Sequence, residues 1–238
     1  MTAAQLGRAG WTVVSAFMFE TVTLGLSTLP AFVFWTWALE FIPNTWPILR
    51  PSLLAMTLVP AYLVFALALC ACSAVGTRLL GWRTPPPGEW RLDEFDWPLL
   101  NWCRYMVSTH VVRVLVGTFF RSTLVWVWYM RWNGASIGRG VYVNSLSISD
   151  HNMLSFGDAT VIGDGVHLSG HTVEGGRLKT GYVRLGKGVT VGLGSLVGIG
   201  VDAGDGSQIG ALSVVPKHAT LEAGRVYVGA PAEPLPRH

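Results

Sequence analysis

Two histidines, a carboxylate and an arginine lie close together at His167, His171, Glu174 and Arg177. A neutral imidazole can take a proton from a hydroxyl or an amine as that group attacks a carbonyl. A nearby carboxylate can hold the ring in the tautomer that this requires. No serine or cysteine nucleophile motif accompanies them, so direct transfer to an acceptor is expected rather than an acyl-enzyme. His171 is the candidate general base. His167 adjoins an apolar register position, Leu168, and is a candidate substrate contact or a structural cap. A third histidine, His151, follows Asp150 upstream. Three histidines are also a zinc set, but their spacings do not repeat a whole number of six-residue steps.

Six residues is the step that matters, because it sets the scaffold. Leu185, Val191, Val197, Ala203, Ile209, Val215 and Leu221 are all apolar and recur every sixth position. Glycine follows the first five, at Gly186, Gly192, Gly198, Gly204 and Gly210. A period of six fits neither a helix nor a lone amphipathic strand. It is the hexapeptide signature of a parallel β-helix, in which the apolar residue points inward and stacks on its equivalent in the next coil. The same register begins upstream at Ile137-Gly138 and Val143. It passes an irregular patch around Asp150 and His151, then continues through Phe156-Gly157, Ile162-Gly163 and Leu168. Ser169 to Arg184 carries no register. An inserted loop at a corner is expected there, and such loops commonly carry function.

The remainder of the chain is not composed for water. Half of its 238 residues are hydrophobic, only 13% are charged, and eleven are tryptophan. Mean hydropathy is +0.42, whereas about a quarter of an ordinary soluble domain is charged. A net charge of +3 without an aromatic-interleaved basic stripe argues against nucleic acid. Cys70, Cys72 and Cys103 show no metal spacing and are expected to be reduced thiols. Trp11 to Ile42 and Leu53 to Val75 are each long enough to cross a bilayer, which takes about 20 residues. Pro43, Asn44 and Pro47 mark a turn between them, and Pro30 is expected to kink or end the first span. Glu20 inside that span is an intramembrane carboxylate, a functional candidate by default. Arg8, Arg78, Arg83 and Arg91 flank the hairpin and place both of its ends in the cytoplasm.

Three units follow: residues 1–84 as a transmembrane hairpin, 85–133 as linker and interfacial helices, and 134–238 as the β-helix. The Pro85-Pro86-Pro87-Gly88 run is the boundary. Between Phe95 and Trp132, arginines punctuate aromatic residues. This reads as two helices meeting near Gly117, with their arginines reaching lipid head groups. A third span within Val111 to Tyr129 is the competing reading.

The register, the closing Val228-Gly229-Ala230-Pro231-Ala232 and the loop holding His171, Glu174 and Arg177 before Val183-Arg184-Leu185-Gly186 together resemble hexapeptide acyltransferases. In particular they resemble the membrane-bound terminal domains of nonribosomal-peptide-synthetase-like proteins of the poly-lysine synthetase type. Gly117-Thr118-Phe119 and Asn133 to Gly138 resemble that family's helix entering the first coil. The resemblance covers Gly117 to Pro231. It implies a left-handed β-helix, trimeric association and attachment to the membrane, which with the flanking arginines predicts a multi-pass inner-membrane protein with a cytoplasmic β-helix. It also implies transfer of an acyl or aminoacyl group from a thioester to an amine or hydroxyl. No part of the chain resembles an adenylation or carrier domain, so the donor, a carrier protein or coenzyme A, is expected in trans. No tightly bound cofactor and no metal are implied. His171 would be the base, Glu174 would orient the ring or bind the acceptor, and Arg177 would bind a pantetheine phosphate. Apart from the resemblance, His167 and His151 are candidate substrate contacts. A γ-carbonic-anhydrase-like metal enzyme and a non-catalytic trimeric scaffold are the alternatives.

Overall fold

A computed structural model describes residues 2–44 and 48–236. Two long helices come first, α1 (Ala3–Phe41) and α2 (Leu49–Leu79). Both are long and apolar enough to cross a membrane. Thr2 and Gln5 form a reciprocal capping box that starts α1. The helix runs unbroken through Pro30 to Phe41, because a single proline removes one backbone bond and the following turns carry on. Thr12, Ala16, Glu20, Thr23 and Ser27 form the buried stripe of α1. Ala66, Leu69, Cys70, Ser73, Ala74 and Thr77 are buried on α2, and the Ser73 hydroxyl bonds that of Ser108. The opposite faces expose Phe17, Leu26, Phe32 and Val33. The turn between the helices begins at Pro43 and Asn44; Pro47 lies outside the described residues.

The segment after α2 is not a free linker. Thr84 and Pro85 are buried, and Gly88–Arg91 forms a strand. Next come α3 (Trp97–Val112), a π-helical stretch (Arg113–Gly117), the single turn α4 (Thr118–Phe120) and α5 (Leu124–Trp132). The helices therefore part at Arg121–Thr123 rather than at Gly117. Gly117 stays inside the helical run, where an added Cβ would meet Leu146 at 3.2 Å. The break comes where Ser122 takes φ 67° and its N–H donates to the Val143 carbonyl. The arginines expected at head groups bond to groups of the protein itself. Arg131 donates to the carbonyls of Ile137 and Gly138, Arg113 to that of Leu146, and Arg121 pairs with Asp164 at 2.7 Å. Arg104 is buried between the Trp82 and Trp97 rings and donates to Ser15 and Asn101. These helices are clamped to the β-helix by charge-assisted bonds to carbonyls that a coil end would otherwise leave unpaired.

From Ser136 the chain winds through three parallel sheets. One stacks 136–137, 154–156, 183–185, 202–203 and 220–221; the second stacks 142–143, 161–162, 190–191, 208–209 and 226–228. The third, 167–168, 196–197 and 214–215, is extended by a bridge at Ile148. Two faces thus carry five rungs each. The upstream repeats at Ile137, Val143, Phe156 and Ile162 extend the register. All of Leu185, Val191, Val197, Ala203, Ile209 and Val215 are buried, as the register requires. Gly186 serves close approach between coils: an added Cβ there would lie 2.8 Å from the Asp205 backbone nitrogen.

Ala203 pairs with Leu185 on one side and Leu221 on the other, and is 1% exposed. Ala203→Leu should overpack this stack and destabilise the protein by about 1–3 kcal/mol. A denaturant midpoint in mild detergent equal to that of the unaltered protein would contradict the assignment of this face.

The stretch without register is not a loop. His171–Glu174 and Arg177–Thr180 form an antiparallel hairpin, with Thr180 facing His171. Gly88–Arg91 adds to it as a third antiparallel strand. Gly175 and Gly176, both at positive φ, make the turn. A hairpin satisfies its own backbone groups, which is why this insertion leaves the coils above and below in register.

Candidate functional site

His171 opens the hairpin strand, directly after the coil that ends at Gly170. Its Nδ1 lies 2.5 Å from Oδ2 of Asp150. Asp150, not Glu174, holds the ring. Asp150 is fully buried at the irregular patch between coils, and its backbone is left-handed at φ 56°. Aspartate tolerates that conformation better than most side chains. The twist turns its carboxylate into the junction between the β-helix and the helical unit.

Six donors converge on the two oxygens. Oδ1 accepts from Thr84 Oγ1 at 2.6 Å and from Trp102 Nε1 at 3.2 Å. Oδ2 accepts from Ser149 Oγ at 3.0 Å, Ser169 Oγ at 2.9 Å, the Gly170 N–H at 3.1 Å and His171 Nδ1. Burial alone would raise the carboxyl's pKa. The hydrogen bonds and charge from His171, with those from Thr84 and Ser169, overcome it and hold the group at about 2. Asp150 is therefore a fixed anion at neutral pH.

An anion at Nδ1 keeps the proton on that nitrogen, so Nε2 carries the lone pair. No side chain or backbone group among the described residues bonds to Nε2. The His171 side chain is 19% exposed, and the Trp102 ring packs edge-on against it with centroids 4.9 Å apart. Such an arrangement can serve as a base held by an orienter, with Nε2 left unbonded within the described residues.

The other expected site residues are placed differently. His151 is buried, with Nδ1 2.9 Å from the Tyr105 hydroxyl and Nε2 unpartnered. It faces the Tyr105 and Tyr129 rings, away from solvent, which removes it from direct substrate contact. His167 lies on the outward side of the third sheet, beside Leu196. Glu174 pairs with Lys217 and Lys179 at the far end of the hairpin strand, so it cannot orient the ring. Arg177 pairs with Glu89 of the edge strand at 2.7 Å and braces that sheet. The three histidines do not converge within one chain, and among the described residues no group of three His, Cys, Asp or Glu could hold a metal ion.

Burial pushes His151 down to about 4. The unfolded chain, with an ordinary histidine near 6.5, binds a proton that the native state refuses between pH 6.5 and 4. Stability should therefore fall as pH drops through that window, by roughly 3 kcal/mol in all. Asp150, ionised down to about pH 2, adds nothing to this change over most of the window. Denaturant titrations in detergent at several pH values check this. His151→Gln should flatten the slope, and an equally steep slope in that variant would contradict it.

The residues missing from the sequence reading are Asp150 as orienter and Thr84, Trp102, Ser149 and Ser169 as its donors. The one available signal was the loss of register around Asp150 and His151, which marks the place without its role.

No family model matches the chain. Over 141 residues it is 24% identical to Delta-poly-L-ornithine synthetase of Acinetobacter baumannii (strain AB307-0294), a match taking in 58% of this chain and 11% of that protein. The chain thus spans about a tenth of the length of the curated relative it matches. Among solved structures, it is similar to serine acetyltransferase from Neisseria gonorrhoeae, at 21% identity and a TM-score of 0.36, over 74% of this chain and 72% of that one. It is also similar to a hexapeptide-repeat containing acetyltransferase from Vibrio cholerae, at 16% identity and a TM-score of 0.35, over 54% of this chain and 91% of that one.

Proposed function

We propose that this chain is a membrane-anchored acyltransferase that moves an acyl or aminoacyl group from a thioester to an amine or hydroxyl, with His171 as general base. The observation that carries the reading is the Asp150–His171 pair, a buried anion that fixes the ring and leaves Nε2 free. In the proposed step the acceptor's nitrogen or oxygen attacks the thioester carbonyl, and Nε2 takes the proton. Collapse of the tetrahedral adduct breaks the carbon–sulfur bond, and the imidazolium returns the proton to the leaving thiolate. Asp150 stabilises that imidazolium without taking its proton. The similarity to a poly-L-ornithine synthetase favours an amine acceptor. Coenzyme A or a carrier-bound phosphopantetheine is the proposed donor. His167, exposed near Leu196, is the remaining candidate for substrate contact.

The same reading makes the β-helix left-handed and cytoplasmic, on the inner membrane, and associates it as a trimer. Leu193, Leu196, Leu212 and Val214 are exposed on its outer faces and support association. Native mass spectrometry in mild detergent counts the subunits. Two helices of 39 and 31 residues with exposed apolar faces support the anchor. Alkaline carbonate washing should leave the protein in the membrane fraction, and its release into the supernatant would refute the anchor. The activity itself is tested by thioester consumption in detergent-purified protein, against acyl-coenzyme A and acyl-carrier protein with amine and hydroxyl acceptors. Consumption of neither donor would refute acyl transfer.

A further inference from the structure

A cavity of about 420 Å³ opens where the end of α2 meets the first coils, behind the Asp150 carboxylate. Thr84 lines it and donates to Asp150 Oδ1; Tyr105 lines it and bonds to His151. Two arginines, Arg78 and Arg83, stand at its wall. The arginines from α3 to α5 are committed: Arg104, Arg113, Arg121 and Arg131 all bond within the protein. Among the described residues, neither the Arg78 nor the Arg83 guanidinium has such a partner.

We propose that this cavity is a binding site for a phosphate ester. Arg78 and Arg83 take the phosphate oxygens, for which the guanidinium fork is suited. Trp82, Trp132 and Tyr182 wall the rest and suit the glycerol or alkyl part beside the head. The site lies at the end of α2, where a spanning helix would leave the hydrocarbon. An anionic phospholipid head group and a soluble phosphate ester share the chemistry required. Because the floor is Thr84, occupancy bears on the donor that holds Asp150 in place.

The test uses the full chain in mild detergent and reads binding by calorimetry, so it stands or falls separately from acyl transfer. The probes are dioctanoyl phosphatidylglycerol, dioctanoylglycerol, which lacks the phosphate, and inorganic phosphate. Phosphatidylglycerol should bind and dioctanoylglycerol should not. R78Q/R83Q should weaken phosphatidylglycerol binding by about tenfold or more, while R139Q, an exposed arginine outside the cavity, should not change it. Inorganic phosphate competing at millimolar concentration assigns the site to a soluble phosphate ester; failure to compete assigns it to lipid. Equal binding of the two lipids, or binding unaltered in R78Q/R83Q, overturns the proposal. The unliganded thermal midpoint of R78Q/R83Q confirms folding, since neither side chain makes a bond that the substitution would break.

Discussion

His171→Ala should lower turnover with a thioester donor by about 10²–10⁴-fold, the usual worth of a positioned general base. The loss should appear in kcat rather than KM, because Nε2 acts on the proton that moves in the transition state. The residue sits in a strand, not a loop, and its ring satisfies one of the six contacts on Asp150. Truncation leaves five donors on that carboxylate, so the fold should survive with a cost of about 1–3 kcal/mol. His167→Ala should leave turnover within a few fold, since its side chain lies on the outward face of the third sheet, away from Asp150. Glu174→Gln should do the same, because Glu174 is tied to Lys217 and Lys179. Near-normal turnover in His171→Ala together with inactive His167→Ala would move the base to His167 and dismantle the proposed mechanism.

The scaffold could be read from the sequence because its determinant is local and periodic. One inward residue per six, from Leu185 to Leu221, fixes which side chains stack, whatever the rest of the chain does. His171 could be found for a related reason: it stands where that period stops. The partner of His171 could not. Asp150 precedes it by 21 positions, sits out of register, and depends on a left-handed backbone that no spacing announces. Glu174 is nearer along the chain, but on a strand successive side chains alternate faces, so His171 and Glu174 point to opposite sides of the sheet. Thr84 and Trp102 come from the helical unit and reach Asp150 only through packing across 66 and 48 positions. The same non-local packing draws the arginines of 104–131 into bonds with the protein itself. Their alternation with aromatics fits an interfacial helix as well as a clamp, and composition does not say which carbonyls lie within reach. In the hairpin, where the pattern is plain hydrophobicity over spanning length, sequence and structure agree on the extent of both helices to within a few residues at most ends; α1 alone begins well before its apolar run, at Ala3.

Asp150→Asn is the more demanding test, because the substitution is nearly isosteric and every consequence is electrostatic. Turnover should again fall by about 10²–10⁴-fold. The fixed donors decide the outcome. Oδ1 faces the Trp102 indole N–H and Oδ2 faces the Gly170 N–H, and neither of those groups can accept a hydrogen bond. An asparagine amide must therefore set its NH₂ against one of them, whichever way it turns. If the NH₂ takes the Oδ2 place, it donates to His171 Nδ1, moves the ring proton to Nε2 and removes the lone pair that the acceptor needs. If it takes the Oδ1 place, it meets the indole N–H, and the imidazolium that forms in the reaction loses its counter-charge. Both arrangements leave a buried donor without an acceptor, so stability should drop by about 1–3 kcal/mol as well. Thr84→Val separates the two effects. It removes one neutral donor from Oδ1 and leaves the anion and the His171 contact in place, so it should reduce turnover far less than Asp150→Asn. Thioester turnover and denaturant midpoints measured on both variants read the two effects separately. An Asp150→Asn variant that keeps full turnover would show that the buried anion does not serve the base, and the mechanism would have to be abandoned.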